Sequence, residues 1–319
     1  MPEGFVDPTF PDLSGVDEAV VAELMRGAVD LHCHSGPSVM PRQLDHRQAM
    51  EDASAAGMRA VLFKDHYYDT SPFAETFRAR YPDSVAQPLG AICLNNSAGG
   101  FNPFALEPAL KQGARIVWMP TVSAANHIRE GARKNLLPTK GKMLKQVALT
   151  PLDPRGDVID PVKQILDMIA EYDVIMSAGH LHISEVWTLF DEAKRRGVKR
   201  LLVNHPTYTI GATMADITEL AGMGVYLEHS ICMFIPNRMQ CRTSEHLMEC
   251  IKAASVDKTF FGSDLGQINA PTPVEGFRQI VRVLVALGYS KEDIRKMVST
   301  NAITLSGLNE NAAPGAKAA

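Results

Sequence analysis

Eight short apolar runs, most of them followed by an amphipathic stretch, set the strongest limit on what this chain can fold into. They are residues 28–32, 59–66, 86–95, 114–121, 173–180, 199–206, 224–230 and 258–266. Segments with helical periodicity lie between most of them, such as 44–57, 160–172 and 183–197, and several stop at a glycine, as a helix end does. Strands alternating with helices build parallel β-α units, and eight such units close most naturally into a barrel. The expected fold is α/β: a (β/α)8 TIM barrel over residues 28–308, with an N-terminal extension (1–27) and a disordered tail (309–319). A doubly wound open sheet is the competing arrangement, but no G-x-G-x-x-G follows the first run. No internal repeat or domain-boundary linker interrupts the pattern.

One segment breaks the rhythm. Between the fourth run and the next helix lie residues 122–159, long for a plain connection in a compact domain. From Arg129 to Lys145 this insertion carries Arg129, Arg133, Lys134, Lys140, Lys142 and Lys145 against Glu130 alone. Such a run is either a solvated basic face or a lid that meets an anionic substrate.

The chemistry concentrates at the ends of the runs. "VDLHCHSGPS" (29–38) closes the first run with His32 and His34, which a strand projects side by side with Cys33 turned away. His66 ends the second run, with Lys64 two residues earlier on the same face. His180, His205 and His229 end the fifth, sixth and seventh, and Asp264 ends the eighth. Six of the 10 histidines therefore fall at one rim, the rim where barrels carry reactive groups. Neutral imidazole is a common ligand for divalent metals, so the arrangement reads as a ring of ligands built from many strands. Elsewhere, His46 and His246 lie in helical patterns and are expected to face solvent. Glu107 is expected to pair with a surface base, and His182 to play a supporting or structural part.

Composition narrows the alternatives. A net charge of −4 gives no global basic field for nucleic acid. No apolar run approaches the ~18 residues of a membrane span, and no basic-then-apolar leader opens the sequence. Five cysteines with no CxxC pair suit reduced thiols in a cytoplasmic protein rather than a disulfide framework.

The ordered set "HCH" (32–34), His180 in "SAGH", His205 in "NHP" and Asp264 in "GSDLG", with the closing segment 297–308, resembles the amidohydrolase-like metal-dependent hydrolases. The resemblance spans about residues 28–308. It implies one or two divalent ions (zinc, iron or manganese) held by His32, His34, His180, His205 and Asp264, with His66 as an added ligand candidate. The sequence departs from that family where the fourth run ends "VWMPT", without a residue to bridge two metals. Lys64 is a candidate for carboxylation or for holding a substrate anion. Glu228 is the nearest spare carboxylate, and it and His229 cannot both face inward from one regular strand. The "DLHxHxGPS" and "DLGQ" signatures resemble a branch that includes enzymes similar to non-haem diiron monooxygenases acting on CoA-linked acyl groups.

Two activities follow. In hydrolysis, water activated at the metal attacks an amide, ester, lactone or thioester, with Asp264, Lys64 and Glu228 as candidate catalytic groups. In dioxygen activation, two irons would hydroxylate a CoA-linked acyl group. A non-catalytic binding barrel is the weakest reading, because so many buried imidazoles are costly without a partner. Arg42, Lys140 and Lys142 are the candidate contacts to the substrate, a small molecule that is either anionic or CoA-linked in the readings that use them. Neither nucleic acid nor membrane is expected as a partner, and a homo-oligomer stays open.

Overall fold

The computed structural model describes residues 5–131 and 139–308. Arg133, Lys134 and the tail 309–319 lie outside the described residues. Eight strands pair in parallel in chain order. They are β1 (Val29–Cys33), β2 (Ala60–Phe63), β3 (Gln87–Cys93), β4 (Ala114–Trp118), β5 (Ile175–Ser177), β6 (Leu201–Asn204), β7 (Tyr226–Ser230) and β8 (Thr259–Gly262). The ring closes just past the last strand, where Cys33 bridges Leu265 and the Asp264 amide donates to the His32 carbonyl at 2.7 Å. This is a (β/α)8 TIM barrel, and each strand falls within or at the edge of one expected run.

Twelve α-helices accompany the strands among the described residues: α1 (Glu18–Met25), α2 (His46–Ala55), α3 (Ser71–Arg80), α4 (Pro103–Lys111), α5 (Ala125–Arg129), α6 (Asp160–Tyr172), α7 (Ile183–Arg195), α8 (Met214–Gly222), α9 (Ser244–Ala254), α10 (Pro273–Ala286), α11 (Lys291–Arg295) and α12 (Asn301–Ser306). Their starts are written in the sequence. Asp45 and Thr213 close capping boxes with Gln48 and Asp216, and His182 caps α7 in the same way with Glu185. No helix among the described residues is long and apolar enough to cross a membrane. The five cysteines are free thiols.

Two apolar layers hold the barrel. Val29, Leu31, Leu62, Leu89, Ile116, Trp118, Leu202 and Phe260 fill its interior. The opposite strand faces, carrying Val61, Phe63, Leu227 and Phe261 among others, bury against the helices. Truncating one of the fully buried interior aromatics, such as Phe260, costs about 3–5 kcal/mol. The interior packing forms a floor, and the polar rim sits above it.

Three histidine placements differ from expectation. His46 is buried, not solvent-facing. Its ring stacks on Phe63 at 4.5 Å, Nδ1 lies 2.6 Å from Ser35 Oγ and Nε2 lies 2.9 Å from the Tyr68 hydroxyl. It opens α2 on the face that packs against β2, and its two polar partners offset the cost of that burial. His246 is half-buried in α9 and meets Thr207 Oγ1 at 3.0 Å. His229 points away from the rim, between Phe234 and Phe261, because Glu228 takes the inward place on β7. Glu107 does pair with a surface base, Lys111, at 2.6 Å.

Candidate metal centre

Regular alternation alone would not bring both first-strand histidines inward. Val29 and Leu31 already face the barrel interior, so the next inward residue would be Cys33. The β1–β2 register instead shifts between Asp30 and Cys33. This irregularity lets His32 follow Leu31 inward and puts His34 beside it, while Cys33 joins the outer layer. Asp30 pins the distortion, with Oδ1 accepting from the amides of His32 (2.9 Å) and Ser263 (3.0 Å). On β8, Gly262 has no side chain because a Cβ there would lie 2.7 Å from the His32 Cβ and 2.9 Å from the Glu228 carboxyl carbon.

Above the floor is a cavity of ≈ 100 Å³ lined by His32, His34, His66, His180, His205 and Asp264, among others. The five imidazoles run around it as a closed ring. Successive centroids are 5.4 Å (His32–His34), 5.0 Å (His34–His66), 6.2 Å (His66–His180), 5.1 Å (His180–His205) and 6.2 Å (His205–His32). Asp264 Oδ1 lies 3.3 Å from His32 Nε2 and 3.1 Å from His34 Nε2.

Each ring is held from behind. Both Glu228 carboxylate oxygens lie 2.8–2.9 Å from His32 Nδ1, and Ser230 Oγ donates to Oε1 at 2.8 Å. His32 therefore carries its proton on Nδ1 and presents a lone pair at Nε2, where Lys64 Nζ donates at 2.7 Å. His66 Nδ1 meets Thr121 Oγ1 at 2.9 Å, and His205 Nε2 meets Asn204 Nδ2 at 2.8 Å. His180 Nδ1 meets His127 Nδ1 at 2.8 Å.

His127 is the site residue that sequence reasoning passed over. It lies on α5, in the insertion after β4, buried and lining the same cavity. The available signal was its position: a histidine just past a barrel strand on the reactive side. It joins the cavity lining, while His229 does not.

The remaining candidates divide. Lys64 lines the cavity, buried, with Nζ 3.7 Å from the Trp118 ring centroid. Trp118 ends β4, and its ring lies 4.8 Å from that of His32. Arg42 also lines the cavity, with a 4% exposed side chain. Glu228 is wholly buried behind His32, outside the cavity lining. Lys140 donates its amide to the Val39 carbonyl at 2.7 Å and lines a neighbouring groove, and Lys142 is exposed; neither lines the cavity.

Burial and charge set the protonation states. Burial holds His205 down to about 4. It holds His34 down to about 3, reinforced by the Arg42 charge. His66 and His180 fall well below the usual imidazole range, chiefly through burial. Burial also lowers the Lys64 ammonium. For Asp264 burial acts upward, but its contacts with His32 and His34 outweigh it and keep the carboxyl well below its ordinary value.

These residues fit a divalent cation. His32, His34 and Asp264 each offer a donor atom within 4.8 Å of the other two. His34, His66, His180 and His205 are pushed toward the neutral form a ligand needs. Buried His205 Nδ1 has no hydrogen-bond partner among the described residues. Mixed imidazole and carboxylate donors suit zinc, iron or manganese.

A model described as a family of unknown function (DUF6282) matches residues 27–228. The chain belongs to that family. No curated protein matches it. Among solved structures, a probable dipeptidase, PvdM, from Pseudomonas aeruginosa superposes with TM-score 0.59 at 10% identity, covering 91% of this chain and 98% of that one. An amidohydrolase from the same organism gives 0.56 at 11%, covering 91% and 97%. A 2,6-dihydroxybenzoate decarboxylase from Rhizobium gives 0.52 at 11%, covering 89% and 99%. At such identities the likeness is one of fold. That shared barrel fold carries proteins named as an amidohydrolase, a dipeptidase and a decarboxylase, so the fold by itself does not fix the reaction.

Proposed function

We propose that this protein is a metal-dependent hydrolase that cleaves an amide, ester, lactone or thioester of a small molecule in the His-ringed cavity. The observation that carries the reading is the convergence of donor atoms of His32, His34 and Asp264 within 4.8 Å of one another, continued around the cavity by His66, His180 and His205. A divalent ion held there would lower the pKa of water to about 7 and so make hydroxide available at neutral pH.

The chain's own groups do the remaining work. Asp264 is the one carboxylate among the residues lining the cavity, and its side chain is 20% exposed. It takes the proton of the attacking water and returns it to the leaving group. Lys64, anchored over the Trp118 face, donates to the carbonyl oxygen as negative charge develops on it. Glu228 accepts the Nδ1 proton of His32 and fixes which nitrogen faces the cavity. Arg42 orients the substrate from the cavity wall.

The test joins metal content to turnover. Protein purified without added metal is analysed for zinc, manganese and iron, then assayed against a panel of amides, esters, lactones and thioesters. Bound zinc or manganese is expected, with a hydrolysed member of the panel that Asp264→Asn no longer turns over. Two irons with an optical band and no hydrolysis would point instead to dioxygen activation. Absence of stoichiometric metal would sink both.

A further inference from the structure

His34 Nδ1 has two suitors with opposite needs. The Lys64 carbonyl oxygen, at 3.1 Å, requires a proton on that nitrogen. Arg42 Nη2, at 3.3 Å, requires a lone pair. The other nitrogen, Nε2, faces Asp264 Oδ1 at 3.1 Å. If Nε2 carries the proton and donates to Asp264, Nδ1 accepts from Arg42. If Nε2 gives its lone pair to a cation, the proton moves to Nδ1 and points to the Lys64 carbonyl. Arg42 and the Lys64 carbonyl therefore compete for one nitrogen, and the arginine's contact to His34 is the longer of the two.

The neutral His34 ring accepts a hydrogen bond but does not offset the guanidinium charge, on which Asp65 and Asp264 act. The arginine side chain is 4% exposed, and its one ion-pair partner among the described residues, Asp65 Oδ2, stands 4.0 Å away. Arg42 Nε has no partner among the described residues. A buried guanidinium with donors to spare is a strong receptor for a planar anion that can take two of its N–H groups at once. Beside it in the cavity wall are Met40, Met233, Met239 and Tyr208, a lining for an apolar body. The ≈ 100 Å³ of the cavity suits a compact body of several heavy atoms.

We infer that Arg42 is the anion-recognition residue of this site and that the substrate is a small carboxylic acid with a compact apolar body, its carboxylate on Arg42 and its scissile carbonyl at the histidine ring. The inference rests on the metal reading above and adds the substrate class.

The experiment uses full-length protein loaded with zinc, with zinc uptake measured on the same preparation. Calorimetric titrations compare hexanoate, its neutral isostere hexanamide, and inorganic phosphate. Wild type is expected to bind hexanoate roughly tenfold or more tighter than hexanamide, the value of one charge-assisted hydrogen bond, and phosphate more weakly than hexanoate. Arg42→Gln should abolish the acid-over-amide preference while retaining zinc, which separates the arginine from any direct carboxylate–metal contact. Arg42→Lys should keep a reduced preference, because an ammonium cannot grip a carboxylate at two points. If Arg42→Gln does not fold, a several-fold loss in Arg42→Lys carries the test. Equal binding of acid and amide, failure of both to bind, tighter binding of phosphate, or a preference that survives the arginine variants would each overturn the inference. Zinc uptake without acid preference defeats this inference alone, whereas no zinc uptake defeats the metal reading beneath it.

Discussion

Replacing Glu228 with glutamine asks whether the carboxylate behind His32 serves the metal or the fold. Both oxygens lie within 2.9 Å of His32 Nδ1, and the pair is fully buried. Glutamine keeps the shape and leaves one oxygen to accept from Ser230 and His32, but removes the charge. A hydrogen bond to a charged group contributes about 1.5–3 kcal/mol and a neutral one about 0.5–1.5. The charge is therefore worth about 1–2 kcal/mol to the orientation and basicity of His32, or roughly 5- to 30-fold in metal affinity. The metal-free protein should respond differently. Desolvation offsets part of what the charge gains from His32, so the isosteric neutral group, which keeps an oxygen to accept from His32 and Ser230, should lower its melting temperature only slightly. Chelator competition gives the metal dissociation constant of each protein, and calorimetric melting of the apo forms gives stability. Metal affinity within about twofold of wild type would refute the reasoning, since a hydrogen-bond partner behind a metal-ligating histidine is typically worth about 10- to 100-fold in affinity. An apo protein that is much less stable would mean that Glu228 chiefly holds the barrel together.

Further outcomes follow from the same geometry. His127→Leu should weaken metal binding by roughly tenfold or more, because His180 loses its Nδ1 partner, whereas His127→Asn, whose amide oxygen can still accept, should lose much less; equal losses in chelator competition would reduce His127 to packing. His66→Ala should lower bound metal per chain, read by elemental analysis, and unchanged content would leave His66 with a structural part. In the metal-free protein, His205 is held at about 4 against an ordinary 6.5. The unfolded chain therefore binds more protons between those values, so this contribution is complete above pH 6.5 and lost as pH falls toward 4. His205 alone accounts for on the order of 3 kcal/mol, and a melting temperature equal at about pH 7.5 and about pH 4.5 would contradict it.

Strand positions were legible because each combines a short apolar run with turn chemistry at its end, and the rim histidines were legible because barrels expose strand ends on one face. What escaped depends on contacts between distant elements. His46 sits in a polar helical pattern, and only the packing of α2 on β2 shows that its ring stacks on Phe63. His127 belongs to an insertion whose path over the rim is set by backbone pairing such as Ala124 with Leu149, which no local pattern encodes. The choice between Glu228 and His229 could be posed from alternation but needed the register of β7 to decide. The charge of the insertion suggested a lid over the site, yet Lys140 rests on the loop after β1 and Lys142 faces solvent. Charge fixes the sign of a surface and leaves its location open.

The most direct test of the metal centre is anomalous diffraction from a crystal grown with zinc, collected on both sides of the zinc edge. The expected result is a peak within about 2.0–2.2 Å of His32 Nε2, His34 Nε2 and an Asp264 oxygen, with Lys64 Nζ moved off His32. A crystal that holds zinc only at surface sites, with Lys64 still bonded to His32 Nε2, would contradict it.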